Sequence, residues 1–275
     1  MKVLVFGRNG WLAHKFADAF DGEVSQADVT SVQQVTDAIY SAAPDVVINA
    51  AAKVGSPNID WCAKNSVNMR MTRYVNSISP ALIQGCCRLT GARLVHLSSG
   101  CLWEFGENLT EEEPPEPPSF YSRTKVDGES MLEGSKDAII LRIRMPFDDS
   151  DSHRSIINKL ARYKKVISLP NSLTYIPDLI GATKHLLHKD ASGIFNVVNT
   201  GGVTGEQILD LYRRHVDNNH EYELVTMDYL LENGLCTEGR SNCTLSGDKL
   251  AATGYQMPPA MQRLEEAMKG IWAMS

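Results

Sequence analysis

A tyrosine and a lysine four positions apart, Tyr121 and Lys125, are the residues whose types and spacing most directly predict chemistry. In a helix this spacing sets the phenol and the ammonium on one face. A nearby positive charge stabilises the phenolate, so we expect the pKa of Tyr121 to fall from its usual value of about 10 toward a range useful for acid–base catalysis. Chains of this length often contain such a pair by chance, so it needs supporting residues.

Two serines and a cysteine offer that support. Ser98 and Ser99 follow an apolar stretch that ends at Leu97, and Cys101 stands two residues further on. If the stretch is a strand of a parallel sheet, these residues lie at its carboxyl edge, where open α/β sheets bind ligands. A hydroxyl group there can help the tyrosine polarise a substrate carbonyl, although serines are also common in the turns that end strands.

A glycine-containing turn near the N-terminus predicts a dinucleotide site. The first apolar run leads into GRNGWLA at 7–13, where small residues let the backbone approach a pyrophosphate and a helix N-terminus offers unpaired N–H groups. Asp28, about twenty residues after the turn, could contact the adenosine half of the cofactor or cap the next helix. Arg8 could bind a 2′-phosphate, which favours NADPH and leaves NADH open. The predicted cofactor residues here are Gly7, Arg8, Asn9, Gly10, Trp11, Leu12, Asp28 and Val29.

The elements that must position these residues alternate along the chain. Short β-branched runs predict strands at 2–6, 45–49, 93–97 and 138–143, and amphipathic stretches predict helices at 11–20, 31–42, 62–90 and 120–132. This pattern is typical of a doubly wound α/β fold with a parallel sheet, the Rossmann architecture. We therefore expect a dinucleotide-binding domain over 1–146. A smaller mixed substrate lobe should follow over 147–275, with a strand at 193–198, helices at 205–216 and 259–272, and interleaved elements.

Composition excludes several classes of function. With 27 basic and 33 acidic residues the net charge is −6, which disfavours nucleic acid as a partner. No apolar run is long enough to span a membrane, and we expect a cytoplasmic protein without membrane association. The six cysteines form no CxxC pair, and His185 and His188 have no evident third ligand, so we expect no metal site.

Taken together, these motifs resemble the extended short-chain dehydrogenase/reductase superfamily. The resemblance covers essentially the whole chain and includes the glycine turn, Asp28-Val29-Thr30, the strand end Asn49-Ala50-Ala51-Ala52, Ser99, Tyr121 and Lys125. Five further segments resemble one narrower family, the UDP-4-keto-6-deoxy-glucose 3,5-epimerase/4-reductases of UDP-L-rhamnose synthesis. These segments are PNIDWC at 57–62, SGC at 99–101, RIRMP at 142–146, LPNS at 169–172 and RSN at 240–242.

This resemblance implies roles for individual residues. Ser99, Tyr121 and Lys125 would reduce the C4 ketone, while Cys101 and Lys159 would serve as the acid and base of epimerisation. His153 begins the same predicted helix as Lys159 and is a rival proton relay, but we favour its interpretation as a surface histidine near the acidic turn at 148–151. Protons at C3 and C5 flank the ketone and become acidic once Ser99 and Tyr121 stabilise the enolate oxygen. The resemblance adds Ala50, Ala51, Ala52, Tyr121, Lys125 and Met145 as cofactor contacts, and Val54, Asn58, Ser99, Gly100, Cys101, Asn171, Arg240 and Asn242 as substrate contacts.

The expected substrate is a UDP-linked 4-keto-6-deoxy sugar, and a homodimer is left open. Three alternatives stay open at this point. The chain could be a dTDP-4-dehydrorhamnose reductase that acts on an already epimerised sugar, or a GDP-sugar epimerase/reductase, which shares a stretch like Ala51 to Gly55. In a different class, it could be a non-catalytic regulatory subunit that binds a dinucleotide.

Overall fold

The computed structural model describes residues 1–56 and 58–273, and the chain divides into two compact units. The first unit consists of Met1–Leu102, Pro115–Arg142 and Leu186–Phe195. The second consists of Trp103–Pro114, Ile143–His185 and the chain from Asn196 onward. The units alternate along the sequence, and the principal change at Arg142 lies near the predicted boundary at residue 146.

Strands and helices alternate through most of the chain. The strands are β1 Val3–Phe6, β2 Glu23–Val24, β3 Val46–Asn49, β4 Arg93–Ser99, β5 Phe105–Leu109, β6 Ala138–Ile143, β7 Pro146–Phe147, β8 Lys165–Val166, β9 Asn171–Tyr175, β10 Gly193–Asn196, β11 Asn199–Val203, β12 Glu223–Leu224 and β13 Asn242–Leu245. The α-helices are α1 Trp11–Phe20, α2 Val32–Ala42, α3 Ser66–Arg73, α4 Ser79–Thr90, α5 Phe120–Ser130, α6 Ile156–Leu160, α7 Ile176–His188, α8 Gly205–His215, α9 Met227–Glu232, α10 Asp248–Ala252 and α11 Ala260–Ala273. A 3-10 helix (Ile59–Ala63) and a π-helical segment (Tyr74–Ile78) complete this set.

The first unit is built on a six-stranded sheet in the order β10-β6-β4-β3-β1-β2. The pairs β1–β2, β1–β3 and β3–β4 are parallel. Every residue of β1 and β3 is buried, as expected for central strands covered by helices on both faces. The chain runs outward from β1 in both directions, so the topological switch point lies between β1 and β3. The predicted doubly wound fold is confirmed.

The predicted continuous helix over 62–90 is wrong in detail. A 3-10 helix, α3, the π-helical segment and α4 share this stretch, and Asn65 caps α3 by accepting a hydrogen bond from the Asn68 N–H. In the π-helical segment the Ser79 N–H donates to the Tyr74 carbonyl, and Pro80 follows near the start of α4. Proline has no N–H for the carbonyl four residues earlier, which belongs to Asn76. The regular hydrogen-bond pattern is therefore interrupted at Asn76.

The second unit contains three small sheets with the orders β11-β9-β7, β12-β8 and β13-β5. Its core includes Phe147, Ile157, Leu173, Leu211 and Leu264, so α6, α8 and α11 pack on the three-stranded sheet. The sequence analysis missed β9 and α7. Pro177 lies in the first turn of α7, where proline is tolerated because its missing N–H needs no partner.

Candidate active site

Ser99, Tyr121 and Lys125 come together in the first unit. Ser99 is the last residue of β4, and Tyr121 lies in the first turn of α5, which is capped by Ser119 accepting a hydrogen bond from the Ser122 N–H at 3.1 Å. Tyr121 and Ser99 are hydrogen bonded through their side chains. Lys125 is 1% exposed, and its Nζ donates to the Leu97 carbonyl oxygen at 3.0 Å. The predicted helix and strand edge thus position these three side chains as one group.

The protonation of this group differs from the sequence expectation. Burial, and then the nearby thiol of Cys101, raise the pKa of Tyr121 above its usual value, although the Ser99 hydrogen bond lowers it. The predicted fall in the Tyr121 pKa is wrong, because burial opposes ionisation of the phenol more strongly than its neighbours favour it. Burial also lowers the pKa of Lys125 to about 8. The site therefore holds Tyr121 as a neutral phenol, which is the form that donates a proton.

An apolar cluster from the PNIDWC segment buries the tyrosine. Cys62, Phe120 and Tyr121 form its centre, and Ile59, Trp61 and Ala63 pack around them. Asn58 starts the 3-10 helix by accepting a hydrogen bond from the Asp60 N–H at 2.9 Å. The preceding loop is tight, because a Cβ on Gly55 would lie 2.4 Å from the Asn58 carbonyl oxygen. Pro57 of this segment lies outside the described residues, and the predicted substrate contact Val54 is half exposed.

Cys101 lies next to the reduction group. Its backbone N–H donates to Ser99 Oγ at 3.1 Å, and its thiol acts on the Tyr121 pKa. Cys101 is partly exposed and Gly100 is buried. Lys159 and His153 belong to the second unit, where Lys159 is exposed on the short helix α6 and His153 is exposed in the preceding turn. The paired roles of Cys101 and Lys159 stay a prediction.

Asn76 is a residue of this site that the sequence analysis missed. Its Nδ2 donates to the Lys53 carbonyl at 3.0 Å and to Thr124 Oγ1 at 3.1 Å, while its Oδ1 accepts from the Lys53 N–H at 2.8 Å. The side chain thus joins the loop after β3 to α5 beside Lys125. A Cβ on Gly128 would lie 2.3 Å from the Asn76 carbonyl, so α5 and the π-helical segment are in close contact. π-Helical segments are frequent at functional sites, and Pro80 was the available signal.

The glycine turn forms a cradle that fits a dinucleotide pyrophosphate. Gly7 has φ +120°, and a Cβ there would lie 3.1 Å from the carbonyl carbon of Ala50. A Cβ on Gly10 would lie 2.9 Å from the Gly7 carbonyl oxygen. Gly10 caps the ten-residue helix α1 without a side chain, so the first N–H groups of α1 face the turn without a capping oxygen. Asn9 lies in this turn, and Trp11 and Leu12 begin α1.

Arg8 and Asp28 lie together at the side of this cradle. Arg8 Nη1 donates to the Gln26 carbonyl at 2.9 Å, and Arg8 Nη2 lies 3.8 Å from Asp28 Oδ2. Asp28 also accepts from the Thr30 N–H at 2.9 Å, which together with Arg8 holds the pKa of its carboxyl below the usual value. Both side chains are more than two-fifths exposed. The Arg8 guanidinium is therefore held in place and accessible to an anion. Val29, which follows Asp28, is buried in the hydrophobic core.

At the end of β3, the predicted cofactor contacts Ala50 and Ala51 are fixed by the backbone. The Ala50 N–H donates to the Phe6 carbonyl at 3.0 Å, and the Ala51 N–H donates to Asn49 Oδ1 at 3.2 Å. Ala52, the next residue, is exposed. Met145, the contact predicted beyond β6, is in the second unit and has φ 39°, in the left-handed region that residues other than glycine rarely adopt.

The predicted substrate residues of the second unit have internal partners. Asn171 is buried, and its Oδ1 accepts from Arg144 and from the Cys243 N–H, while its Nδ2 donates to the Leu169 carbonyl and to Asn242 Oδ1. Arg144 also donates to Ser241 Oγ at 2.8 Å. Arg240 Nη1 donates to the Glu238 carbonyl at 2.9 Å. These bonds build the second unit, and the substrate contacts of Asn171, Arg240 and Asn242 stay predictions.

Two features of the described part of the chain bear on metal binding and membrane association. Within residues 1–56 and 58–273, no group of three or more His, Cys, Asp or Glu side chains is arranged to hold a metal ion. His185 Nε2 instead lies 3.0 Å from the Thr253 carbonyl oxygen. In the same residues, no helix is both long and apolar enough to cross a membrane.

Comparison with known proteins identifies similar sequences and folds. The family model described as the RmlD substrate binding domain matches residues 1–204. A bifunctional dTDP-4-dehydrorhamnose 3,5-epimerase/dTDP-4-dehydrorhamnose reductase of Arabidopsis thaliana is 29% identical, and the match covers 98% of this chain and 92% of that protein. A trifunctional UDP-glucose 4,6-dehydratase/UDP-4-keto-6-deoxy-D-glucose 3,5-epimerase/UDP-4-keto-L-rhamnose-reductase of the same plant is 28% identical over 91% of this chain, which spans only 39% of that longer protein.

Solved structures with a similar fold include two whose descriptions refer to rhamnose synthesis. The crystal structure of a UDP-rhamnose synthase from Acanthamoeba polyphaga mimivirus superposes with a TM-score of 0.89 and 25% identity, covering 98% of this chain and 99% of that one. A dTDP-4-dehydrorhamnose reductase from Bacillus anthracis in complex with NADP has a TM-score of 0.79 and 20% identity, covering 100% and 99%. The second likeness bears on the fold alone.

Proposed function

The chain belongs to the family of the RmlD substrate binding domain, and from this membership we propose that it is an NADPH-dependent bifunctional 3,5-epimerase/4-reductase that converts UDP-4-keto-6-deoxy-D-glucose to UDP-L-rhamnose. The observation that carries the proposal is the grouping of Ser99, Tyr121, Lys125 and Cys101 in one unit. A simple reductase needs the first three residues, whereas the cysteine next to them suits an epimerase as well.

The reduction step uses the neutral phenol. Tyr121 donates its proton to the C4 oxygen as the ketone becomes an alkoxide, and the Ser99 hydroxyl group stabilises that oxygen. The resulting tyrosinate is stabilised by the positive charge of Lys125, which lies one turn further along the same helix. Because the reaction runs as a reduction, the high pKa of Tyr121 keeps the proton donor loaded at neutral pH.

In the epimerisation steps, Ser99 and Tyr121 hold the C4 oxygen while a base removes the proton at C3 or C5. The enolate then takes up a proton on the opposite face, which inverts the carbon. Cys101 supplies one of these groups and Lys159 the other. In each inversion the base gains a proton and the acid loses one. Proton exchange with solvent restores both residues before the next inversion.

The turn from Gly7 to Leu12 would hold NADPH, which would supply the hydride for C4. Gly7 and Gly10 would leave room for its pyrophosphate at the N-terminus of α1, because a Cβ at either position would intrude on the backbone. The exposed Arg8 guanidinium, held by Asp28, would bind the 2′-phosphate. Ala50, Ala51 and Ala52 line the switch point, where small side chains let the cofactor approach the sheet.

For the nucleotide part of the substrate we propose UDP, bound with contributions from Arg240 and Asn242. The support is the mimivirus UDP-rhamnose synthase, which matches nearly the whole chain. The name of the Arabidopsis relative instead contains dTDP. We therefore give dTDP-4-dehydrorhamnose as the second candidate substrate, for which the protein would act as the reductase.

We also propose a homodimer formed through the surface made by α3, the π-helical segment and α5. Met69 on α3, Ile78 on the π-helical segment and Met131, the residue that follows α5, are exposed apolar residues. Light scattering after gel filtration should give twice the monomer mass for the wild type. Ile78→Glu should give the monomer mass, and a monomeric wild type would overturn the assignment.

The test of the function is incubation of the protein with NADPH and UDP-4-keto-6-deoxy-glucose in D₂O, followed by NMR of the sugar. The proposal predicts UDP-L-rhamnose with deuterium at C3 and C5. Cofactor oxidation that gives a non-inverted sugar without deuterium would leave a reductase only. Repetition with the dTDP and GDP substrates identifies the base, and dinucleotide binding without turnover of any substrate would indicate a regulatory subunit.

A further inference from the structure

A buried carboxylate, Glu129, lies one helical turn beyond Lys125 on α5 and has no part in the reaction described above. The two side chains are four residues apart and thus share a face of the helix. Glu129 is 4% exposed and Arg142, on β6, is 2% exposed. Arg142 Nε donates to Glu129 Oε1 and Oε2 at 3.2 and 3.1 Å, and Nη2 donates to Oε2 at 2.7 Å.

The same carboxylate also binds β4 next to the reactive serine. The Ser98 hydroxyl group donates to Glu129 Oε1. Ser98 directly precedes Ser99, so Glu129 connects the helix that carries Tyr121 and Lys125 to the strand that carries Ser99. Through Arg142 it also connects this helix to the neighbouring strand β6.

Stability alone does not require this arrangement. A buried ion pair can often be replaced by apolar residues without loss of stability, because burial removes the hydration of both ions. The charge of Glu129 has a second effect, since it raises the pKa of Lys125 against the lowering caused by burial. A buried lysine without a nearby carboxylate would lose its proton more easily.

We propose that Glu129 is a positioning residue for the reduction, whose carboxylate, held by Arg142 and Ser98, supplies the counter-charge for the Lys125 ammonium and fixes the Ser99 strand end against α5. This proposal rests on the proposed function for the role of Lys125 in turnover. The effect of Glu129 on the charge of Lys125 is independent of the proposed function, because it concerns the protein without substrate.

Other polar and titratable groups near α5 also contribute to the electrostatic environment of Lys125. His96 on β4 is fully buried and bonded to Asn49 across the sheet, and burial and Lys125 lower its pKa, so it stays neutral in the working range. The π-helical segment contributes the amide of Asn76 and the hydroxyl of Ser77, which carry no charge. The elements packed together here carry further titratable and charged groups. These are Tyr121, Arg123 and Asp127 on α5 itself, Asp60 and Cys62 on the 3-10 helix, Arg70 and Arg73 on α3, Tyr74 on the π-helical segment, Cys86, Cys87 and Arg88 on α4, Arg93 on β4, Cys101 after β4 and Arg142 on β6.

The variant Glu129→Gln removes the charge and keeps the size and a hydrogen-bonding oxygen. Without the carboxylate, Lys125 should lose its proton about one pH unit lower. The alkaline limb of kcat should move down with it, giving an activity loss of about tenfold at pH 8.5 and little change at pH 6. The paired variant Glu129→Leu/Arg142→Leu leaves neither ion of the pair unpaired. It should show a smaller shift in the same direction, because the Arg142 cation is removed as well, and it keeps the test available if the single variant folds poorly.

A matched control is Asp178→Asn in the second unit. Asp178 is also buried and also accepts hydrogen bonds from an arginine, with two from Arg263. Its loss should leave the alkaline limb of the wild-type profile unchanged. A Glu129→Gln profile that superposes on that of the Asp178→Asn protein would overturn the proposal and leave Glu129 a structural role.

A readout without substrate separates this inference from the proposed function. In protein with ¹³C-labelled lysine, the Cε resonance that disappears in Lys125→Arg reports the titration of Lys125. We expect its midpoint to fall in Glu129→Gln relative to the wild type. An unchanged midpoint overturns the inference whatever the activity, whereas a shifted midpoint in a protein that turns over no sugar supports it and contradicts the proposed function.

Discussion

The two units each bury an aspartate or glutamate against an arginine, and the two ion pairs differ in their neighbours. In the first unit, Glu129 and Arg142 lie beside Lys125 and Ser98. In the second, Asp178 accepts hydrogen bonds from Arg263 and from Asn199 at 2.7 Å, and both neighbours belong to the framework of β11 and α11. Burial of an ion pair is therefore not a sign of function. The reactive group that the pair touches decides its role.

This contrast leads to a general expectation for the molecule. Substitutions in the first unit near Ser99 should lower the catalytic rate and have small effects on the free energy of unfolding. Matched substitutions in the second unit should lower the free energy of unfolding and leave the catalytic rate nearly unchanged. The tyrosine, cysteine and arginine variants compare two similar residues, one from each unit, and Asp178→Asn tests the stability of the second unit.

The largest effect is expected for Tyr121→Phe, compared with Tyr175→Phe. The phenol of Tyr121 is the proposed proton donor, and its loss should lower kcat for ketone reduction by about a thousandfold. Tyr175 in β9 also has a raised pKa, to about 12, through burial and the nearby Asp149. Its replacement should leave kcat within about twofold, because it has no proposed part in proton transfer. Steady-state NADPH oxidation measures kcat of both variants. Equal losses of kcat in the two variants would show that the two tyrosines do not differ in function.

A second comparison concerns two cysteines. Cys101→Ala should lower deuterium uptake at C3 or C5 by about a hundredfold, since one proton-transfer group is lost. Reduction of an already epimerised 4-keto sugar should continue, because Ser99, Tyr121 and Lys125 remain. Cys243 in β13 is buried beside Ser241, and Cys243→Ala should leave deuterium uptake at the wild-type rate. Loss of reduction together with exchange in Cys101→Ala would assign the thiol to positioning Ser99 instead.

The site residues predicted from the sequence have partners nearby in the chain. The site residues that were missed have partners far away in the chain. The helical spacing of Tyr121 and Lys125 and the turn from Gly7 to Gly10 are local patterns, and both were predicted in place. Asn76 and Glu129 act through partners such as Lys53 and Arg142, which only the folded chain brings near. The Tyr121 pKa was predicted in the wrong direction for the same reason, because the 3-10 helix that buries it belongs to another part of the sequence.

Loss of the ion pair in the second unit should lower the stability of the protein. Asp178→Asn removes the charge that pairs with Arg263 and leaves an amide group facing its donors, which should lower the free energy of unfolding by about 2 kcal/mol. Urea unfolding followed by circular dichroism measures this change. Activity at pH 7 in the absence of urea should stay near the wild-type value. A stable Asp178→Asn protein with reduced kcat would show that the second ion pair also supports the chemistry.

The smallest effect is expected at Arg8, whose only acidic partner among the described ion pairs is the exposed Asp28 at 3.8 Å. An exposed pair of this kind adds little to stability, so Arg8→Ala should unfold at the same urea concentration as the wild type. If Arg8 binds the 2′-phosphate, KM for NADPH should rise by about tenfold, the loss of one charge-assisted contact, while KM for NADH stays unchanged. Arg213→Ala in α8 is the matched control, because Arg213 forms a similar exposed pair with Asp210 at 3.9 Å. Equal rises for both cofactors in Arg8→Ala would mean that Arg8 supports the glycine turn and does not select the phosphate.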